Sequence, residues 1–150
     1  MKSSLENIMS TDRTRNDIEA IDRRREEWMA VVNAGDVERY MSLFADEIVW
    51  FPPEMQAISG REAVRVWLQP FFDRFDYQFT LSALSNRLAG NWAIERGTFT
   101  SRMTPKLSGE PMELSGRYIV FWRRDQNKVW MIERYVDETN SAPHVFDNQL

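Results

Sequence analysis

Six side chains carry most of the chemistry that this sequence offers: Trp50, Trp67, Arg96, Tyr118, Trp122 and Arg134. Aromatic rings give a cavity an apolar wall with a polar handle, and a guanidinium fork beside them suits the two oxygens of a carboxylate or the oxygen of an enolate. Two Arg inside an apolar pocket require buried acids or an anionic ligand. The competing reading pairs each Arg with a carboxylate at a rim, such as Asp137 or Glu138. Tyr40 is a further wall candidate. Glu54, in the loop after Pro53, is a mouth acid that acts as a base or is simply solvated. His144 sits in the tail with Pro143 and Val145-Phe146, which folds over the pocket or is a disordered or partner-bound end. The residues leave open whether the protein is an enzyme, because no buried general base stands out.

Composition narrows the classes. Six Trp, 9 Phe and 4 Tyr in 150 residues point to a thick aromatic core or an aromatic-lined cavity. The absence of Cys removes disulfides and thiolate chemistry, and a single His disfavours a zinc or copper site, so neither a metal nor another cofactor is expected. A net charge of −4 argues against nucleic-acid and anionic-membrane partners. Arg23-Arg24-Arg25 is followed by Glu26-Glu27 and reads as the solvated side of a helix. No apolar run reaches the ~18 residues of a membrane span, and a cytoplasmic location is expected.

The elements that must position these residues follow from periodicity. Residues 1–13 read as a disordered leader, residues 14–140 as one domain and residues 141–150 as a tail. Thr14 and Asp17 have capping-box spacing and open a helix with Ile18, Ile21, Trp28 and Val32 on one face, the Arg25 stem filling a turn. Gly35 ends it in a left-handed conformation and Asp36 caps a second helix running to about Asp46. Ile48–Phe51 is a short strand closed by Pro52-Pro53. A third helix starts after Ser59-Gly60, and Pro70 is expected to kink it or end it a turn early. From Tyr77 the apolar period changes to two, giving strands at 77–83 and 92–100, a loop from Met103 to Met112, and a hairpin formed by 116–124 and 129–140. Helices first and strands after imply an α+β domain with its helices gathered on one face of an antiparallel sheet.

The hairpin register decides which side chains line the pocket, because a slip of one residue reverses every face. A three-residue loop at Asp125–Asn127 pairs Arg124 with Lys128 and sends Tyr118, Val120, Trp122, Trp130, Ile132 and Arg134 inward. A two-residue turn instead pairs Tyr118 with Tyr135 and Val120 with Glu133. Burial favours the first. On the neighbouring strand the same reasoning sends Trp92, Ile94, Arg96 and Thr98 inward rather than Ala93, Glu95 and Gly97.

Asn33-Ala34-Gly35-Asp36 leading to Leu43-Phe44-Ala45-Asp46-Glu47, the strand ending in Pro-Pro, Gly60-Arg61-Glu62-Ala63-Val64, Gly90-Asn91-Trp92-Ala93 and the Trp122-Arg123-Arg124…Trp130 hairpin together resemble the SnoaL-like branch of the ketosteroid isomerase and nuclear-transport-factor superfamily. The resemblance spans residues 14–140. It implies a conical cup of three N-terminal helices packed on a strongly curved, mostly antiparallel sheet, enclosing an apolar pocket and often dimerising through the outer sheet face. That superfamily holds isomerases, dehydratases, epoxide hydrolases, cyclases and non-catalytic modules, so the fold does not choose a reaction. The isomerase's own residues do not carry over. The position of its oxyanion Tyr is held by Trp28, that of its base by Pro52, and that of its neutral acid by Tyr118 or Ile119. The expectation is a binder of a small apolar ligand bearing a carboxylate or carbonyl, acting as a lyase, isomerase or cyclase. The alternative is a non-catalytic dimeric binding or assembly module, with Glu95, Phe99, Glu133 and Tyr135 at a homodimer interface.

Overall fold

The computed structural model describes residues 4–140. Two helices, α1 (Ser4–Ala34) and α2 (Val37–Met41), are followed by two strands, β1 (Phe44–Phe51) and β2 (Ile58–Ser59), and then by a third helix, α3 (Arg61–Arg74). Four long strands complete the chain: β3 (Phe75–Ala89), β4 (Trp92–Pro105), β5 (Met112–Arg124) and β6 (Trp130–Thr139). They form one six-stranded sheet in the order β2-β1-β6-β5-β4-β3, antiparallel except where β1 runs parallel to β6. The helices lie on one face of this curved sheet, so the α+β architecture expected from the order of elements is the one observed. Among the described residues no helix is long and apolar enough to cross a membrane.

Helix α1 begins at Ser4, well before the expected Thr14, and its first turns are exposed. Thr14 caps nothing: its hydroxyl donates to the Ser10 carbonyl one turn back, as a threonine inside a helix does. Farther along, Ile21, Arg25, Trp28, Val31 and Val32 form the buried stripe. Gly35, at φ +67°, reverses the chain. The Gly35 and Asp36 N–H groups donate back to the Val32 and Val31 carbonyls, and the Asp36 carboxylate accepts from the Arg39 N–H to start α2. Helix α2 stops at Met41 instead of reaching Asp46, because Phe44 pairs with Ile132 and the Leu43 carbonyl accepts from the Ile132 N–H. Sheet pairing thus overrides a helical pattern of only a few residues.

Helix α3 runs through Pro70 to Arg74, not ending a turn early. The carbonyl that Pro70 leaves without a helical donor is that of Val66, a residue 64% exposed, so water can satisfy it. Val64, Leu68 and Phe72 face the sheet. The expected loop at 103–112 is shorter, since β4 continues to Pro105 and β5 resumes at Met112.

The last hairpin adopts neither candidate register. Arg124 pairs with Trp130 across a five-residue loop, in which the Asp125 carboxylate accepts from the N–H groups of Asn127 and Val129. Trp122 opposes Ile132 but Phe121 opposes Arg134, so the ladder shifts at Glu133. This bulge keeps Trp130 and Ile132 buried yet turns Tyr135 inward and Arg134 outward. Strand β4 shows the opposite face from the one expected. Ala93, Glu95, Gly97, Phe99, Ser101 and Met103 are buried, while Trp92, Ile94, Arg96 and Thr98 are exposed.

An ion cluster explains that choice. Glu95, fully buried, forms a charge-assisted contact with Arg25 of α1, accepts from the Tyr118 hydroxyl at 2.8 Å and from Asn86 at 3.3 Å. Gly97 makes room for this arrangement: a Cβ there would lie 2.6 Å from the Tyr118 hydroxyl and 2.4 Å from the Ser82 carbonyl oxygen. Glu95, Phe99, Glu133 and Tyr135, expected at a dimer interface, are therefore all buried within the chain.

Candidate functional site

A cavity of about 230 Å3 opens at the end of the cup away from the 125–129 loop. Strand β1 contributes Trp50, α2 contributes Tyr40 and α3 contributes Trp67 and Phe71. The sheet supplies Tyr77 and Phe79 from β3, Phe99 and Met103 from β4, and Tyr135, Asp137 and Thr139 from β6. These residues alternate along their strands, which is how a sheet places a continuous wall on one face. The rings fix one another. Trp50 meets Trp67 at 5.1 Å and 80° and Tyr135 at 4.8 Å and 66°, both edge-on.

The polar end of this wall is Asp137. Its Oδ1 accepts a hydrogen bond from the Trp50 indole N–H at 2.8 Å. Burial pushes its carboxyl up to about 6, with the Trp50 bond pulling the other way. Burial also holds the neighbouring phenols neutral: Tyr77 is pushed up to about 12, and Tyr40 and Tyr135 lie well above the ordinary tyrosine value. Tyr40 has a defined role in the network. Its oxygen accepts from the Trp28 indole N–H at 3.1 Å, which leaves its own hydroxyl proton to be donated elsewhere. Asp137 is thus the carboxyl on this wall, raised by burial, and the phenols are hydrogen-bond donors or acceptors around it.

Of the six residues expected to bind a ligand, Trp50 and Trp67 are in the wall. Trp122 is fully buried in the core, edge-on to Trp28 at 6.1 Å. Tyr118 is buried behind the cavity with its hydroxyl committed to Glu95. Arg134 points away from the cup because of the bulge and donates to the carbonyls of Glu47 and Glu133. Arg96 lies on the outer face beside Arg117, Ile119 and Glu138, because Glu95 takes the inward position. With both guanidinium groups outside, the cation expected to hold a carboxylate is missing from the wall.

Trp28 and Pro52 are both buried. Glu54 is exposed in a turn with φ +56°, and the cavity wall takes Pro53 instead. His144 lies outside the described residues. Asp137, which the sequence offers as a rim partner for Arg, is in the wall instead. The signal for it is the i, i+2, i+4 set Tyr135, Asp137, Thr139, which the two-residue-turn alternative would have turned inward with Tyr135. Among the described residues no group of three His, Cys, Asp or Glu side chains is placed to hold a metal ion.

The sequence profile of the SnoaL-like domain family matches residues 26–132. No curated protein matches the chain. Among solved structures, a conserved protein from Planctomyces limnophilus aligns with a TM-score of 0.78 at 20% identity, covering 84% of this chain and 99% of that one. An NTF2-like protein with a cystatin-like fold from Novosphingobium aromaticivorans gives 0.78 at 16% identity, covering 96% and 95%. A ketosteroid isomerase-like protein from Erwinia carotovora atroseptica gives 0.73 at 16% identity, covering 83% and 96%. At these identities the structures establish a shared fold.

Proposed function

The chain belongs to the SnoaL-like domain family, and from that premise we propose that its cup binds a small, flat, apolar ring compound on which Asp137 acts as proton acceptor and donor. A lyase, isomerase or cyclase reaction would use such a group. The observation that carries the reading is Asp137 itself, a carboxyl near pKa 6 set in a wall of aromatic rings and held by Trp50. A cavity of about 230 Å3 is at the small end for ligand sites. It suits one or two rings rather than a steroid skeleton. The steroid isomerase's catalytic set is absent, so the proton chemistry is assigned to different residues: Asp137 as base, with Tyr40 or Tyr135 donating to a ligand oxygen.

Titration calorimetry with naphthylmethanol, a neutral two-ring probe, tests this. Saturable one-to-one binding is expected, lost in Met103→Trp, where the new indole fills the cavity. A probe that fails to bind the wild-type protein, or binds the filled variant equally well, refutes the reading.

A second reading, a non-catalytic dimeric module, is favoured by one observation. The outer sheet face exposes Trp92, Ile94, Ile119 and Val136 in a contiguous apolar stripe. A second copy of the chain would cover it. Light scattering that reports a dimer in the wild type and a monomer in Ile119→Arg supports this interface; a wild-type monomer at micromolar concentration removes it.

A further inference from the structure

The groups that line the cup point to the charge of its ligand. Among the described residues that line it there is one carboxylate, Asp137, and no Lys, Arg or His. Nine aromatic rings, two of them Trp50 and Trp67, make up most of the wall. Aromatic faces carry negative charge density, so the rings and the carboxylate present the same sign to whatever enters. Arg134 and Arg117 are on the other side of the sheet: Arg134 bonds to backbone carbonyls, and Arg117 pairs with Glu138 at 2.8 Å. Among the described residues only Oδ1 of Asp137 receives a side-chain donor, and the second oxygen is left for a ligand.

We propose that the cup selects a protonated arylalkylamine, its ring stacked within the Trp50 and Trp67 wall and its ammonium donating to the second oxygen of Asp137. This rests on the small-molecule reading above and names its ligand class. An anionic ligand would meet a like charge with no compensating cation among the described lining residues, a buried arrangement that costs far more than it returns. A neutral ligand leaves the carboxylate partly desolvated with a single side-chain hydrogen bond. An ammonium supplies donors to the second oxygen and a cation to the ring faces, so it satisfies both features at once. The site is therefore opposite in polarity to one built around Arg.

Isosteric probes separate the cases: naphthylmethylamine, naphthylmethanol and naphthoate, each titrated calorimetrically into the full chain at neutral pH. The amine is expected to bind about tenfold tighter than the alcohol, with the carboxylate weakest. In Asp137→Asn, whose side-chain oxygen still accepts from Trp50, the amine should fall to the affinity of the alcohol. Asp137→Ser serves if that variant misfolds by circular dichroism. Lowering the pH below about 6, where Asp137 takes a proton while Tyr40, Tyr77 and Tyr135 stay neutral throughout, should erase the amine's advantage. Arg96→Gln, on the outer face, should leave the order of the three probes unchanged. Alcohol and amine binding equally well, or carboxylate binding tightest, overturns the amine assignment and leaves the small-molecule cup standing. Failure of every probe overturns both.

Discussion

The Trp50 indole N–H donates to the Asp137 carboxylate at 2.8 Å, joining the parallel pair β1 and β6 across the mouth of an aromatic cavity. This contact orients the carboxyl group while burial resists its ionisation. A group in that position is kept at a cost to the fold, and the cost is measurable.

Asp137 should make the protein less stable as pH rises. Its folded pKa of about 6 lies above the ordinary 3.8, so the folded state holds the proton more tightly than the unfolded state does. Its stabilising effect is complete below the unfolded value and is lost as pH climbs through the folded one, up to about 3 kcal/mol for a shift of this size. Urea unfolding across that window should show the decline in wild type. Asp137→Asn should abolish this component and be the more stable protein at neutral pH.

The Arg25–Glu95–Tyr118 cluster predicts the reverse behaviour for a structural site. Arg25→Met strands Glu95 in a closed interior and should cost about 3–5 kcal/mol in chemical denaturation, whereas Glu95→Gln should cost less because Arg25 keeps its pair with Asp22 at 2.7 Å. Replacing Arg25 and Glu95 together should cost less than the sum of the single losses, because no isolated charge is left behind. Ligand affinity should change little in whichever of these variants folds, since Tyr118 and Glu95 stand outside the cavity wall.

Gly97→Ala should be among the most damaging single-methyl changes in the chain. The new Cβ meets the Ser82 carbonyl oxygen at 2.4 Å and the Tyr118 ring at 2.7 Å, and the backbone atom cannot swing aside. A loss of about 2–3 kcal/mol is expected from thermal or urea unfolding. Tyr118→Phe in the same chain should recover only part of it, because the clash with Ser82 persists.

The architecture was legible because long patterns carry it. The switch from helical to alternating periodicity at Tyr77, the Gly35-Asp36 corner and the Gly60 start of α3 are local signals that tertiary packing left intact. Side-chain direction within the sheet was not legible, for two physical reasons. The bulge at Glu133 exchanges the two faces partway along β6, and no periodic reading anticipates an inserted residue. On β4, ranking residues by hydrophobicity selected Trp92 and Ile94 for burial, whereas the Arg25–Glu95 pair, made between residues far apart in sequence, decided the face. Both effects moved an Arg out of the cup, and the first brought Asp137 into its wall. Trp50 and Trp67 remained in the site because each precedes or lies far from these irregularities.

The six Trp residues allow the central claim to be tested in one experiment. Naphthylmethanol titrated into nitrogen-15-labelled protein can be followed through the indole N–H resonances. Saturable shifts are expected at Trp50 and Trp67, which line the cavity, and much smaller ones at Trp28, Trp122 and Trp130 in the core or Trp92 on the outer face. Shifts concentrated at Trp92, with Trp50 and Trp67 unmoved, would place binding on the opposite side of the sheet and contradict the account.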